Sequence, residues 1–333
     1  MRAVELRAYD GSLHVVERPL PKLRSGELLV RLAAAPINPS DLAFIKGRYG
    51  VRKPLPIVPG FEGAGTVVAS GGGLASRALV GRRVACGAPD GGDGTWAEFI
   101  VTSPRRCFPL RPRIDDEAGA TLLVNPLTAW VLMASARREK HRAVAQTAAA
   151  SALGRMLLRL SLRYGPPMVH VVRRPAQVAL LKSLGAEHVL DSSRPDFAAE
   201  LERAFRTLGV TRVFDAVAGS LTNQLVRALP SGGRVTVYGA LSEEPCTLEP
   251  GSLIFGHRSV DGFWLSEWFR EAHPLDQARA GLAVQRLLGG ELKTEVAARL
   301  PLERAAEAVE RYTGRMTEGK VLLVPSRSDA RPS

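Results

Sequence analysis

The sequence has few cysteines and no long apolar run. Its 333 residues include three cysteines, Cys86, Cys107 and Cys246, and none of them form a Cys-x-x-Cys pair. This pattern predicts neither a disulfide framework nor a cysteine-rich metal site, and we expect three reduced, mostly buried thiols. No apolar run reaches about 18 residues, so no transmembrane helix is expected. The first twenty residues alternate around Asp10-Gly11, which predicts a hairpin rather than a signal peptide, and we expect a cytoplasmic protein.

The chain also lacks a concentrated basic tract, although its net charge is +12 and its pI is about 10.2. Arginine and lysine are spread along the sequence without a run of five. A positive net charge of this size is compatible with binding to nucleic acid, with binding to phosphate-bearing small molecules, or with an ordinary solvated surface that binds neither. Because the charge is dispersed, we expect no nucleic-acid partner and no membrane partner.

The distribution of apolar residues predicts an α/β protein with two domains. Residues 1–120 are rich in short β-branched runs separated by glycine and proline, which is typical of strands and turns. Residues 121–270 alternate strand-like and helical segments, which predicts a doubly wound parallel sheet. Residues 271–333 return to helices and a last strand, and we assign them with 1–120 to the first domain. One helical stretch is expected over 118–136, and a disordered polar tail over 326–333.

The segment 144–160, "VAQTAAASALGRMLLRL", predicts a strand, a turn of small residues and a helix. A helix N-terminus after such a turn binds phosphate through unpaired N–H groups. The usual G-x-G-x-x-G spacing falls on Ala149 or Ala150, on Ala152 and on Gly154, of which only the last is glycine. The turn by itself is equally compatible with a nucleotide site and with a tightly packed strand–helix connection.

The next predicted strand favours one cofactor over another. In NAD sites this strand ends in an acidic residue that binds the ribose 2′-hydroxyl. Here "MVHVVRRPAQ" ends in Arg173 and Arg174 and contains no acid. Guanidinium groups suit a dianionic 2′-phosphate, so the sequence favours NADPH over NADH. The alternative is a pair of solvated arginines at a strand end.

Four stretches together make the chain resemble the zinc-independent medium-chain dehydrogenase/reductases over nearly its whole length. Within them it looks most like the enoyl thioester reductases of mitochondrial and bacterial type, with quinone oxidoreductases as close relatives. The stretches are 37–50, "INPSDLAFIKGRYG"; 60–71, "GFEGAGTVVASG"; 122–130, "LLVNPLTAW"; and 261–277, "DGFWLSEWFREAHPLDQ", with the later "EGKVLLV".

This resemblance implies a fold, an oligomeric state and a set of site residues. It implies a GroES-like β-rich catalytic domain, a Rossmann domain that binds NADP(H), and a homodimer joined through the Rossmann sheets. It gives Tyr49 of "KGRYG" the role of proton donor and Asn125 a contact on the nicotinamide side. It gives Arg173 and Arg174 the 2′-phosphate. The other implied cofactor contacts are Ser151, Ala152, Leu153, Tyr238, Gly239, Ala240, Phe263, Trp264, Leu265 and Lys320.

The opening stretch and its neighbour lack the ligands of the zinc-dependent relatives. Asn-Pro-Ser-Asp and Phe61 stand where those enzymes carry a Cys and a His. Asp41 and Glu62 alone are too few for a catalytic zinc, which takes about three protein ligands, so no metal is expected. We expect Ser40 or Asp41 to cap a helix that holds Tyr49 in place.

The resulting hypothesis is NADPH-dependent reduction of the C2–C3 double bond of a trans-2-enoyl thioester, carried by coenzyme A or by an acyl carrier protein. A neutral phenol such as that of Tyr49 is a suitable acid for the second step. A quinone or small-enone reductase on the same scaffold is the alternative, and it has no need of Tyr49. A third hypothesis is a protein that binds NADPH as a sensor with little turnover.

Overall fold

The computed structural model of the protein describes residues 1–326. The rest of the predicted disordered tail, residues 327–333, lies outside the described residues. Within residues 1–326 no helix is both long enough and apolar enough to cross a membrane. The strands are β1 Arg2–Leu6, β2 Leu13–Glu17, β3 Leu28–Pro36, β4 Glu62–Ser70, β5 Arg83–Gly87, β6 Phe99–Thr102, β7 Cys107–Pro109, β8 Ala143–Gln146, β9 Met168–Val172, β10 His188–Asp191, β11 Val210–Asp215, β12 Arg234–Val237, β13 Ser259–Gly262, β14 Val296–Leu300 and β15 Lys320–Leu323.

The α-helices alternate with the strands mainly in the middle of the chain. Two short 3₁₀ turns, Pro104–Arg106 and Leu302–Arg304, complete the regular structure of the described residues. The helices are α1 Pro39–Ile45, α2 Leu74–Arg77, α3 Asp116–Ala120, α4 Asn125–Arg138, α5 Ala152–Tyr164, α6 Pro175–Ser183, α7 Phe197–Leu208, α8 Ser220–Ala228, α9 Pro250–Ile254, α10 Leu265–Glu271, α11 Pro274–Leu287 and α12 Ala305–Gly314.

Internal contacts divide the chain into two compact units. Unit 1 comprises Met1–Leu127 together with the chain from Gly281 onward, and unit 2 comprises Thr128–Ala280. Unit 2 is continuous in sequence and lies between the two segments of unit 1. The unit boundaries lie after residues 127 and 280, whereas the sequence places them near 120 and 270.

Unit 2 is built on a six-stranded parallel sheet with the order β10-β9-β8-β11-β12-β13. Apolar strands such as β9 are buried along their whole length, as expected for a sheet covered on both faces. The helix α7 shows how the cover forms, because Phe197, Leu201 and Phe205 recur every four residues and are all buried. Gly209 ends this helix in the left-handed conformation, with φ of 72°.

Unit 1 is mainly antiparallel. Strands β14, β15, β3, β4, β5 and β7 form one sheet in that order, and β6 pairs with β3. The predicted N-terminal hairpin is confirmed, since β1 pairs antiparallel with β2 around the Asp10-Gly11 turn. Its core surrounds Trp96 and Phe44 and includes residues from α1, α12 and β15.

One predicted helix is corrected by the structure, and one strand of unit 1 was not predicted. The predicted single helix over 118–136 is two helices, α3 and α4, separated by a turn at 121–124. The turn persists because the N–H groups of Leu123 and Val124 donate to the Glu62 carboxylate at 2.8 and 2.9 Å rather than to helix carbonyls. Strand β14, which was not predicted, pairs with β15 in parallel.

Candidate functional site

The carboxyl ends of the parallel strands in unit 2 carry most of the predicted cofactor residues. Strand β8 is central: the chain continues from it to β9 and β10 on one side, and then crosses to β11, β12 and β13 on the other side. In open α/β sheets the crevice at this reversal, outside the carboxyl ends of the strands, is where ligands bind. Eleven predicted cofactor residues follow the carboxyl ends of β8, β9, β12 and β13, namely Ser151, Ala152, Leu153, Arg173, Arg174, Tyr238, Gly239, Ala240, Phe263, Trp264 and Leu265.

The turn after β8 connects the strand to α5 with little glycine. Ala148 adopts the left-handed conformation, with φ of 47°, which is uncommon for a residue with a Cβ atom. Ser151 caps α5, because its hydroxyl accepts the N–H of Gly154 at 3.1 Å. A Cβ atom on Gly154 would lie 2.5 Å from the carbonyl oxygen of Ala149. Gly154 therefore has the function of the third glycine of the fingerprint, close packing of the helix on the turn.

A buried polar pair supports the first turn of α5 from below. The side-chain amide of Gln146 donates to the carbonyl of Gly154 at 2.9 Å and lies 2.8 Å from Nδ1 of His170. Burial lowers the pKa of His170 to about 4, so the imidazole is neutral at pH 7 and its Nδ1 accepts. These contacts tie β8, β9 and α5 together at the candidate site.

Arg173 and Arg174 are exposed at the end of β9. Arg174 is the N-cap residue of α6, and the N–H of Arg173 donates to Gln177 at 3.2 Å. Within residues 1–326 neither guanidinium forms an ion pair or a side-chain hydrogen bond. The strand end thus presents two uncompensated positive charges and no acid.

The turn after β11 is a part of this edge that the sequence analysis missed. Asp215 is fully buried and its carboxylate accepts the hydroxyls of Thr147 at 2.6 Å and Thr222 at 2.7 Å. The Thr147 hydroxyl in turn accepts the N–H of Ala216 at 2.8 Å. Asp215 therefore fixes the turns after β8 and β11 to each other across the reversal point. The signal available in the sequence was the run Ala-Val-Ala-Gly directly after Asp215. In the structure this run forms a turn in which Ala218 has φ of 64°.

The remaining predicted residues of unit 2 directly follow the carboxyl ends of β12 and β13. Tyr238 follows β12, and its N–H donates to the carbonyl of Asp215 at 2.8 Å. Its hydroxyl is buried without a hydrogen-bond partner among the described residues, and burial raises its pKa well above the usual value. A Cβ atom on Gly239 would lie 2.9 Å from the carbonyl oxygen of Ala216. Phe263 follows β13 and donates its N–H to Val237 at 2.9 Å.

In unit 1 the predicted proton donor Tyr49 belongs to a row of aromatic rings. The ring centroids of Tyr49 and Phe61 are 4.8 Å apart, those of Phe61 and Phe44 are 5.5 Å apart, and those of Phe44 and Tyr9 are 5.7 Å apart. Gly47 reverses the chain before Tyr49 with φ of 67°. Phe61, which stands where the zinc-dependent relatives carry histidine, thus serves as a packing surface for the tyrosine ring.

The helix α1 begins two to three residues earlier than the predicted caps allow. Asn38, rather than Ser40 or Asp41, is the N-cap residue. Asp41 is the third helical residue, where its carboxylate accepts the N–H of Asn38 at 2.7 Å and that of Phe61 at 3.0 Å. Proline at position 39 favours this start, since the first helical position needs no N–H donor. Asp41 thereby links α1 to the segment against which Tyr49 packs.

A buried polar network joins α1 to the other predicted residues of unit 1. Lys320 is 1% exposed, and its ammonium donates to the Ile37 carbonyl at 3.0 Å and to the Asn38 side chain. The amide of Asn38 donates to Glu62 at 2.9 Å. The other oxygen of Glu62 holds the turn directly before Asn125.

Burial raises the pKa of Glu62, and it raises that of Asp41 to about 7, while the charge of Lys320 opposes both shifts. Lys320 also donates to the Tyr312 hydroxyl at 3.1 Å. All three hydrogen bonds of the Lys320 ammonium are therefore made to acceptors within unit 1. A contact between Lys320 and a cofactor stays a prediction, as do the cofactor and catalytic roles of the other site residues.

The described residues contain no group of three or more His, Cys, Asp or Glu side chains placed to hold a metal ion. Cys86 and Cys107 are buried and face each other across β5 and β7, whereas Cys246 is exposed. All three are free thiols, and two of them are neighbours in the sheet although they are distant in sequence.

Comparisons with known proteins agree with this architecture. Residues 24–112 match the family described as alcohol dehydrogenase GroES-like domain, and residues 152–278 match the family described as zinc-binding dehydrogenase. The chain is 32% identical over 301 residues to the human mitochondrial enoyl-[acyl-carrier-protein] reductase, covering 87% of this chain and 79% of that protein. The chain therefore belongs to the medium-chain dehydrogenase/reductase superfamily of oxidoreductases.

Solved structures give the same result from the fold. A putative NADPH:quinone reductase from Mesorhizobium loti is 35% identical, with a TM-score of 0.91 and 98% of each chain covered. A mycobacterial protein solved in complex with NADPH is 27% identical, with a TM-score of 0.83, covering 98% of this chain and 100% of that one. The predicted fold class, a GroES-like unit with a Rossmann-type parallel-sheet unit, is confirmed.

Proposed function

We propose that the protein is an NADPH-dependent reductase of the C2–C3 double bond of trans-2-enoyl thioesters. The observation that carries this proposal is the placement of Tyr49. A phenol is packed on Phe61, and the Phe61 backbone is held by Asp41, at the position where zinc-dependent relatives bind their metal. The human and Caenorhabditis elegans relatives that are 32% and 33% identical, each over 87% of this chain, are enoyl-[acyl-carrier-protein] reductases.

The cofactor assignment is supported by the carboxyl edge of unit 2. Gly154 and Gly239 are positions where a Cβ atom would collide with backbone, so both permit close packing around a dinucleotide site. Ser151 retains its own O–H as a donor while it caps α5. Arg173 and Arg174 suit the 2′-phosphate, which favours NADPH over NADH. NADPH, when bound, supplies the hydride.

The protein's residues then have three tasks in the reaction. Tyr49 donates or relays the proton that completes the reduction at the α-carbon, as a neutral phenol can at pH 7. Asn125 orients the nicotinamide side of the cofactor from the start of α4. Glu62 and Asp41 hold the backbone of the segments that carry these two residues.

Reduction of quinones or small enones is the second candidate function. Its support is structural, because the putative NADPH:quinone reductase from Mesorhizobium loti matches almost the entire chain. A quinone accepts hydride at oxygen or carbon and takes its proton from water, so such an enzyme does not require Tyr49. The two functions therefore differ in their dependence on one hydroxyl.

The test is NADPH oxidation with crotonyl-coenzyme A and, separately, with a simple quinone. Wild type, Tyr49→Phe and the control Tyr164→Phe are compared, since Tyr164 is a surface residue of unit 2. We expect crotonyl turnover to fall by about 10²-fold or more in Tyr49→Phe and to be unchanged in the control. Quinone turnover indifferent to both changes, without crotonyl turnover, would replace the first function by the second.

We also propose that the protein is a homodimer joined through unit 2. Strand β13 is an edge of the six-stranded sheet, and an exposed edge is suited to pairing with a second copy. The nearby segment at the end of α9 exposes Ile254 by 63% and Phe255 by 83%. Apolar side chains this exposed, in the chain segment that leads into an edge strand, fit a subunit interface.

A further inference from the structure

A groove in unit 2 lies away from the edge that carries the predicted cofactor residues. It is formed between α4 and α5 and has a volume of about 290 Å³. Helix α5 starts at the carboxyl edge of the sheet and runs away from it, so Leu160 and Tyr164, in its last turns, lie about 12 to 18 Å along the helix axis from Ala152. The groove is therefore separate from the turn after β8.

The side chains that line the groove come from one face of α4 and one face of α5. Helix α4 contributes Trp130, Met133 and Arg137, which follow one another at intervals of three and four residues and so share one face. Helix α5 contributes Leu160 and Tyr164 at the same spacing. Met133 and Leu160 are buried, at 2% and 0% exposed, so the floor is apolar and aromatic rings stand at its sides.

The rim of the groove is positively charged. Arg137 and Arg138 form the last turn of α4 and are exposed, and within residues 1–326 neither guanidinium has an ion-pair partner or a side-chain hydrogen bond. The guanidinium of Arg163 lies 5.2 Å from the centre of the Tyr164 ring, which adds a third positive group at the same end. An apolar floor with an arginine rim is complementary to an apolar molecule that ends in an anion.

The volume of the groove indicates the size of a molecule that would fill it. At about 30 Å³ per water-sized group, the groove has room for about ten non-hydrogen atoms. An eight-carbon carboxylate has about ten non-hydrogen atoms and matches this volume.

We propose that the groove between α4 and α5 binds a medium-chain monocarboxylate, with the hydrocarbon chain on Trp130, Met133 and Leu160 and the carboxylate on Arg137 and Arg138. The inference does not depend on the reaction proposed above, because none of these residues belongs to the predicted active site. Basic residues at a helix C-terminus also offset the helix dipole, and the experiment separates that role from binding.

The test is titration of the full-length protein with octanoate, followed by isothermal calorimetry and by tryptophan fluorescence. Acetate, which lacks the chain, and 1-octanol, which lacks the charge, are the matched probes. We expect saturable octanoate binding with Kd on the order of 1 mM, the range for a ligand of about ten atoms. Neither acetate nor 1-octanol should give a saturable signal at the same concentrations.

Three variants assign the binding to the groove. Arg137→Gln combined with Arg138→Gln should weaken octanoate binding at least about tenfold, because both charge-assisted bonds are lost. Ala134→Phe should block the groove without changing its charge. Arg206→Gln, in the last turn of α7, removes a basic residue from an equivalent helix end and should leave binding unchanged.

Two outcomes would overturn the proposal. Absence of saturable octanoate binding by the folded wild type would do so directly. Binding that survives Ala134→Phe and the double arginine change would place the ligand elsewhere and leave the arginines as residues that offset the helix dipole.

Discussion

Replacing Lys320 by methionine tests the buried network of unit 1 most severely. The side chain is 1% exposed and its ammonium makes three hydrogen bonds, to Ile37, Asn38 and Tyr312. Methionine fills similar volume but leaves the carbonyl of Ile37 and the Asn38 side-chain oxygen without a donor. It also removes the positive charge that opposes the raised pKa of Glu62. Removal of one partner of a buried ionic group costs about 3–5 kcal/mol of unfolding free energy.

Combining Lys320→Met with Glu62→Gln measures how strongly the two buried side chains stabilise each other. Glu62→Gln alone should also destabilise. One oxygen of Glu62 accepts the N–H groups of Leu123 and Val124 and the other accepts the side-chain amide of Asn38, and the NH2 group of glutamine can replace neither acceptor. In Lys320→Met combined with Glu62→Gln, the buried charge that lost its counterpart is gone. The combined loss should therefore be smaller than the sum of the two single losses by about 0.5–3 kcal/mol.

Denaturant unfolding at pH 7, followed by circular dichroism, measures these differences. Lys182→Met is the control, since Lys182 is exposed on α6 and its loss should change stability by less than about 0.5 kcal/mol. A Lys320→Met protein as stable as this control would refute the reasoning. Strict additivity in the double variant would show that Lys320 and Glu62 do not stabilise each other.

Three further predictions concern the other parts of the molecule. Arg173→Gln combined with Arg174→Gln should weaken NADPH binding about tenfold or more and leave NADH binding unchanged, and equal loss of both cofactors in a fluorescence titration would contradict the 2′-phosphate assignment. Burial lowers the pKa of His170 from its model-compound value near 6.5 to about 4, so the unfolded chain binds a proton between these values that the folded chain does not. Between pH 4 and 6.5 the unfolding free energy of wild type should therefore gain about 3 kcal/mol relative to that of His170→Gln, since the opposing contribution of Asp41 is common to both proteins; parallel pH profiles of the two proteins would refute a neutral buried imidazole. If the protein forms the proposed dimer, Phe255→Asp should convert it to a monomer in light scattering because a charge would be buried at the interface, and a dimer that persists would place the interface elsewhere.

Much of unit 2 could be predicted because its signals are local. Parallel strands and covering helices alternate within a few tens of residues, and each helix shows its own apolar face, as in α7. The positions of Arg173 and Arg174 at a strand end follow directly from that pattern. The fold class was also supported by family resemblance, which the comparisons confirm.

The features that could not be predicted depend on residues far apart in the chain. The break between α3 and α4 is caused by Glu62, which is 61 residues before Leu123. Lys320 reaches Asn38 across 282 residues, and nothing in "EGKVLLV" indicates a buried ammonium. The role of Asp215 depends on Thr147 at the end of another strand. Such side-chain networks arise from tertiary packing and leave no periodic pattern in the sequence.

The most direct test of the proposed function is to reduce crotonyl-coenzyme A with NADPH in deuterium oxide and to locate the deuterium in the product by mass spectrometry and NMR. The account predicts butyryl-coenzyme A with solvent deuterium at C2 and none at C3, formed much more slowly by Tyr49→Phe. No butyryl product from folded, NADPH-binding protein, with ready turnover of a quinone, would contradict it.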